Sequence, residues 1–150
     1  MRSDLPIEVT HEVRDRCLCL HLQRAARAIA RRFDDALRPL GLTHGQYSLL
    51  MALNRPGAPR LGELAKFLAM DRTTLTANLK PLERRGLLNM QPDSSDKRSR
   101  RVGLSDAGRD LLVQAVPVWR KTHDDVDALL GRDDTQLLKA DLLSLSFGET

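Results

Sequence analysis

Three features of the sequence predict a mainly α fold carrying one small β-hairpin. Apolar residues recur at three- and four-residue spacings along most of the 150 residues, the period of helices with one buried face. Two short segments of this kind, over 61–68 and 72–85, are separated by only a brief turn. Directly after them the period drops to two over residues 88–104, the alternation of strands. A close helix pair followed by a hairpin is a winged helix-turn-helix, here flanked by N- and C-terminal helices.

The first long helix is expected from about Glu12 to Leu40. Leu18, Leu22, Ala26, Ile29, Phe33, Leu37 and Leu40 form its apolar stripe, with Arg14, Arg24, Arg27, Arg31 and Arg38 largely off it. Pro39 and Gly41 end it. Thr43 opens a second helix, and Gln46 three residues later completes a capping box. Tyr47, Leu50 and Met51 are its inner face, and Asn54-Arg55-Pro56-Gly57 breaks it. The short helix from Leu61 to Leu68 is apolar at Leu61, Leu64, Ala65 and Leu68. A turn through Ala69-Met70 leads to Asp71, an N-cap for the helix from Arg72 to Arg85. Leu75, Leu79 and Leu82 form the inner stripe of that helix, and Gly86 stops it. Pro81 sits inside it, which predicts a bend near Ala77 to Lys80 or a shortened recognition segment.

In the hairpin, Leu88 and Met90 alternate with Asn89 and Gln91, and Val102 and Leu104 with Arg101 and Gly103. Pro92-Asp93-Ser94-Ser95-Asp96-Lys97 is turn chemistry. Ser105 then caps a long helix from Asp106 to about Leu130, with Leu111, Leu112, Ala115, Val116, Trp119 and Val126 as packing positions and a kink at Pro117. Gly131 interrupts. Asp133 to Phe147 forms the last amphipathic helix, through Leu137, Leu138, Leu142, Leu143 and Leu145.

Composition narrows the function. With 41% hydrophobic and 29% charged residues, the chain has the material for one compact domain. Its longest apolar run, Leu49 to Leu53, is far short of the roughly 18 residues that span a bilayer. The first residues lead into no apolar signal core, and Cys17 and Cys19 make no disulfide framework. The expectation is a soluble cytoplasmic protein. The net charge of +4 is unevenly spread: +3 over residues 1–59, +5 over 60–101 and −4 over 102–150. A basic middle beside an acidic tail points to an anionic partner that meets the middle alone, and nucleic acid fits.

Opposite the inner stripe of the Arg72–Arg85 helix stand Thr73, Ala77, Lys80 and Arg84, with Thr74 at the flank. Hydroxyls suit base edges or phosphates and Ala77 suits a thymine methyl, while Lys80 and Arg84 suit phosphates and Arg72 either. The hairpin tip is read as carrying Lys97, Arg98, Arg100 and Arg101, a basic ribbon suited to the minor groove. Asp96 among them is expected to orient a neighbouring arginine through charge-assisted hydrogen bonds. The low aromatic content, 3%, suits duplex recognition better than single-strand stacking.

At this point the sequence resembles the MarR family of bacterial transcriptional regulators, over roughly Cys17 to Leu145. The markers are Leu40-Gly41-Leu42-Thr43 with Gln46-Tyr47, then Leu82-Glu83-Arg84-Arg85-Gly86-Leu87. The most specific is Asp96-Lys97-Arg98 leading to Leu104-Ser105 and Gly108. The resemblance implies one domain over 1–150, with dimerisation helices at about 12–40 and 106–147 and a DNA-binding lobe at about 43–105. It implies an obligate homodimer whose terminal helices interleave, with Arg98 entering the minor groove and the fourth helix reading the major groove. Two copies on a two-fold axis present recognition helices about 34 Å apart, which calls for an inverted-repeat operator. Repression follows from the family's usual mode.

Such regulators answer to a small ligand or an oxidant. Leu18-Cys19 with Leu22 and Ala25-Ala26 is similar to the OhrR-type peroxide-sensing branch, whose two tyrosines are replaced here by Gln23 and Phe33. Cys17 and Cys19, two apart on a helix, point to nearly opposite sides and do not bridge; cysteines on an apolar helix also serve as small buried hydrophobes. His21, Arg24, Tyr47, Trp119 and His123 are the candidates to line a pocket for an aromatic anion. The competing reading is a metal-dependent enzyme built on His123 and Asp127, one helical turn apart. No second ligand cluster, phosphate loop or nucleophile motif accompanies that pair. Catalytic residues and cofactors are therefore not expected. A winged helix used for protein contacts is a third reading, opposed by the wing arginines.

Overall fold

The computed structural model describes residues 4–96, 98–131 and 135–147. Among these residues, seven α-helices and one hairpin follow in the order α1 (Ile7–Arg16), α2 (Leu18–Leu37), α3 (His44–Ala52), α4 (Leu61–Phe67), α5 (Arg72–Arg84), β1 (Leu88–Pro92), β2 (Arg100–Leu104), α6 (Asp106–Ala128) and α7 (Gln136–Phe147). A 3₁₀ turn, Arg38–Leu40, closes α2, and Gly41 leaves it in the left-handed region at φ +66°.

The expected first helix is divided. Cys17 is extended at φ −71°, ψ 99° and separates α1 from α2. Its Sγ accepts from Leu20 N at 3.4 Å and so caps α2. Neither glycine nor proline marks the spot, so the apolar period runs across a break it does not register. Cys17 is thus at a cap rather than in a helix, and Cys19 is exposed rather than a small buried hydrophobe.

The core lies where the second half of α2, α3, α4, α5, the hairpin and the first half of α6 meet. Leu37, Leu50, Leu53, Leu64, Leu75, Leu79, Leu82, Leu88 and Val102 are fully buried there. α2 packs on α6 and α3, and α5 on α3, α4 and β1. The inner stripes read from the sequence supply these residues, and their burial drives the assembly. Caps match as well. Thr43 Oγ1 accepts from Gln46 N at 3.2 Å, and Gln46 Oε1 from Thr43 N at 3.1 Å. Asp71 Oδ1 accepts from Thr74 N at 2.8 Å, and Ser105 Oγ from Gly108 N at 3.0 Å.

Neither internal proline ends its helix. α5 runs unbroken through Pro81, and the buried Leu82 beyond it holds the last turn to the core. The recognition segment is not shortened. α6 is likewise one helix of 23 residues with Pro117 inside it. Pro117 is on the solvent side, as is Val113 one turn earlier, so the carbonyl left without its donor lies where water reaches.

β1 and β2 pair antiparallel from Leu88 opposite Leu104 to Pro92 opposite Arg100. The base of the hairpin is clamped to α6. Ser105 Oγ donates to Gly86 O at 2.6 Å, and Ser105 N to Leu87 O at 3.2 Å. Gly108 sits directly against this junction; a Cβ there would lie 2.2 Å from Leu87 O. Other apolar faces stay open. Ile7, Val9 and Val13 of α1, Leu18 and Ile29 of α2, and Leu137, Leu142, Leu143, Leu145 and Phe147 of α7 are exposed. Asp133, the expected start of the last helix, lies outside the described residues. Among the described residues no helix is long and apolar enough to cross a membrane.

Candidate nucleic-acid interface

α5 presents its outer face as the sequence predicts. Arg72, Thr73, Ala77, Lys80 and Arg84 are exposed, and the first four share a shallow concavity with Thr76. Thr74 is exposed but engaged, since its hydroxyl donates to Asp71 Oδ2 at 2.6 Å. That bond, then the Thr74 amide, holds the Asp71 carboxyl below the ordinary aspartate range. Thr76 donates to Arg72 O at 2.7 Å. Among the described residues, Thr73, Arg72 and Lys80 are the exposed polar groups of the face, with Arg84 at its far end.

A second concavity lies between the start of α4, the start of α5 and the hairpin. Arg60, Lys66, Arg72, Arg98 and Arg100 line it, with Glu63 and Asp96 as its acidic members. The Arg72 guanidinium lies over Gly62, where a Cβ would come within 2.8 Å of Nη2. Arg72 thus faces one groove with Arg98 and Arg100, far from it in sequence. Lys97 lies outside the described residues.

Two wing expectations are corrected. Arg100 and Arg101 belong to β2 rather than to the tip. Arg101 turns back to the body, donating from Nη1 to Ala58 O at 2.7 Å and placing Nε 3.3 Å from Asp93. Asp96 orients no guanidinium among the described residues: its Oδ1 accepts the backbone N–H of Arg98 at 3.0 Å, and its carbonyl that of Ser99 at 2.9 Å. A short side chain beginning a tight turn reaches the main chain two residues on before it reaches a side chain. The carboxylate that binds arginines is Asp93, which the sequence reading left as a turn residue. Arg60 and Lys66 were missed as well, because nothing local shows that α4 and its entry fold beside the hairpin.

The predicted effector residues separate. Tyr47 and Trp119 stack at 6.2 Å with an 18° interplanar angle. They line a cavity of about 560 Å³ with Met51, Phe67, Leu68, Val116 and Arg120. Burial pushes the Tyr47 hydroxyl above its ordinary value, against the pull of Arg120. His123 packs on Trp119 at 4.9 Å and on Phe33 at 6.5 Å. His21 and Arg24 stand elsewhere, exposed on α2, with His21 Nδ1 donating to Cys17 O at 2.8 Å. Arg24 shares a shallow surface with Arg27 and Arg31. Cys19 Sγ accepts from Gln23 Nε2 at 3.1 Å. His123 Nδ1 meets Asp127 Oδ2 at 3.3 Å, and among the described residues no three metal-ligating groups come together.

Residues 42–99, the segment that carries the helix pair, β1 and the hairpin turn, match the model of the MarR family. The fold agrees over nearly the whole chain with the M. tuberculosis transcriptional regulator MosR in complex with DNA: 36% identity, 87% of this chain, 93% of that one, TM-score 0.79. The chain belongs to the MarR family. Among its MarR-family relatives, the transcriptional repressor CouR bound to a 23-mer DNA duplex shares 31% identity over 97% of this chain and all of that one, TM-score 0.79. CouR bound to p-coumaroyl-CoA shares 27% over 92% and 96%, TM-score 0.79. The activatory protein BadR of Rhodopseudomonas palustris is 33% identical over 73% of this chain; the match spans 65% of BadR, just under two thirds. These relatives are transcriptional regulators, not enzymes.

Proposed function

We propose that this MarR-family chain is a sequence-specific DNA-binding repressor that acts in the cytoplasm as a homodimer on an inverted repeat. The observation that carries the reading is the convergence of the exposed α5 face and the groove of Arg72, Arg98 and Arg100 on one side of the lobe. In this reading Thr73, Ala77 and Arg72 address the major groove, with Thr74 at the flank. Lys80 and Arg84 neutralise phosphates, and Arg98, with Lys97 and Arg100, meets the minor groove. MosR and CouR carry the same architecture on DNA, which supports it.

The domain division follows. Residues 43–105 form the reading lobe, and the segments 12–40 and 106–147 the dimerisation helices. The open apolar faces of α1, α2 and α7 support this, since an exposed apolar stripe on three helices is costly unless a partner covers it. A second copy supplies a matching surface by symmetry.

Release is assigned to a small aromatic ligand in the Tyr47–Trp119 cavity, where flat apolar walls meet a single cation, Arg120. CouR, solved bound to p-coumaroyl-CoA, is a precedent for an aromatic ligand. In this reading the chain acts by binding, as its transcriptional-regulator relatives support, and His123 pairs with Asp127.

The test is fluorescence anisotropy with the chain's own upstream DNA, titrated with salt and with aromatic acids. Binding should weaken steeply with salt, by roughly 0.9 in log K per log [salt] for each phosphate neutralised. Arg98→Ala should cost about 1–3 kcal/mol. Salt-independent binding, or an Arg98→Ala protein with unchanged affinity, contradicts the assignment.

A further inference from the structure

Asp93 is the buried carboxylate of the described residues, its side chain 1% exposed beneath the hairpin turn. Oδ2 takes the Nε–H of Arg60 and lies 3.3 Å from Nε of Arg101. Oδ1 accepts from Ser95 N and Ser95 Oγ, each at 2.9 Å. The main chain is tied across the same turn, with Asp93 N donating to Ser99 O at 2.9 Å. The two arginines come from different places: Arg60 directly precedes α4, and Arg101 lies in β2. Their backbones also bridge, and Val102 N donates to Pro59 O at 3.0 Å.

A two-stranded hairpin alone is marginally stable and free to tilt. The Asp93 cluster removes that freedom at the outer end of the ribbon, as Ser105 and Gly108 do at its base. Burying a carboxylate with its arginine partners is weak support for stability, because apolar side chains of similar volume usually do as well. What the charges provide is a defined geometry: a carboxylate held by three directed hydrogen bonds and paired with the Arg101 charge admits one arrangement of turn, strand and α4 entry. Arg60 also lines the groove shared by Lys66, Arg72, Arg98 and Arg100, so the clamp and the groove meet in one guanidinium.

We propose that Asp93 is the positioning residue of the wing: it sets where Arg98 and Arg100 stand relative to Arg72 and α5, so that both groove contacts reach a duplex in register. The inference rests on the DNA-binding reading above. The Ser95 amide foremost, then Arg60 and the Ser95 hydroxyl with Arg101, hold this carboxyl well below the usual range against the opposing cost of burial. The clamp is therefore charged at neutral pH.

The experiment compares full-length wild type, Asp93→Asn and Arg101→Gln on the upstream duplex. Hydroxyl-radical footprinting reads the flanking minor grooves, methylation interference at guanine N7 reads the major grooves, and thermal melts report folding. Both variants are expected to keep the N7 interference, lose the flanking protection and bind at least about tenfold more weakly. Their salt slopes should fall by about 2, one phosphate-equivalent per wing of the dimer. Arg101→Gln leaves Arg60 on Asp93 and lines no part of the groove, so it carries the test if Asp93→Asn does not fold. A folded variant with lowered melting temperature but wild-type footprint and slope overturns the proposal. Uniform loss of both footprints from a folded variant overturns it too, because the wing is then not what moved. Wild type without any footprint instead removes the DNA-binding reading beneath it.

Discussion

Gly108→Ala measures how tightly the wing is seated on the scaffold. The new Cβ would lie 2.2 Å from Leu87 O, 2.7 Å from Leu104 Cδ1 and 3.2 Å from Leu87 C. Two of these contacts are backbone atoms, so the hairpin base must move away from α6. Forcing a methyl into a packed site costs about 1–3 kcal/mol. The same movement strains the bonds from Ser105 to Gly86 O and Leu87 O, worth roughly 1 kcal/mol each. Against this, alanine in a helix gains about 1 kcal/mol over glycine. The balance is a loss of about 2–4 kcal/mol, or on the order of 10 °C for a chain of this size. Urea unfolding and thermal melts at one fixed protein concentration read it, since dimerisation makes both concentration-dependent. Gly45→Ala is the control: nothing lies within 4 Å of its Cβ position, so it should gain up to about 1 kcal/mol. If Gly108→Ala gains stability as Gly45→Ala does, the close-approach argument fails.

Three further outcomes are expected. Ala69 holds φ +51° in the turn between α4 and α5, a conformation that costs an L-residue about 1–2 kcal/mol. Ala69→Gly should therefore raise stability by up to about 1 kcal/mol after the entropy of glycine is subtracted, with operator affinity unchanged; a lower urea midpoint contradicts this. Because folding depresses the Asp93 carboxyl, its contribution is complete above the ordinary aspartate value near 3.9 and is lost as pH falls below it. Acid unfolding curves of wild type and Asp93→Asn should accordingly converge on acidification, and parallel curves refute the linkage. Cys19→Ser should leave release by aromatic acids intact, since Cys19 lines no part of the Tyr47–Trp119 cavity. Release by organic hydroperoxide that survives in this variant excludes Cys19 as its trigger, and its loss assigns the trigger there.

Legibility in the sequence followed the range of the interactions. Local ones were readable: the Thr43–Gln46 capping box, the Asp71 and Ser105 caps and the Leu75–Leu79–Leu82 stripe all act within one or two turns. So did the outward face of α5, because helical geometry places Thr73, Ala77 and Lys80 once the inner stripe is known. The break at Cys17 was not readable, since a thiol capping an amide leaves no breaker residue behind. Pro81 did not mark a helix end: α5 runs on through it to Arg84, with Leu82 buried just beyond.

By itself, then, the sequence determined the helix order, the hairpin, the core stripes and the basic surface that mark a MarR-family regulator. Periodicity, capping and charge are properties of neighbouring residues, and they survive without knowledge of the fold. Only the tertiary structure decided which arginines face the groove and which are consumed holding the wing. Asp93 and Arg60 are 33 residues apart, and Arg101 differs from Arg100 only in the side of the strand it occupies. Ion pairing at that separation depends on how β2 docks beside the entry to α4. The same holds for the cavity, where docking of α6 on α3 brings Tyr47 against Trp119 and leaves His21 and Arg24 outside.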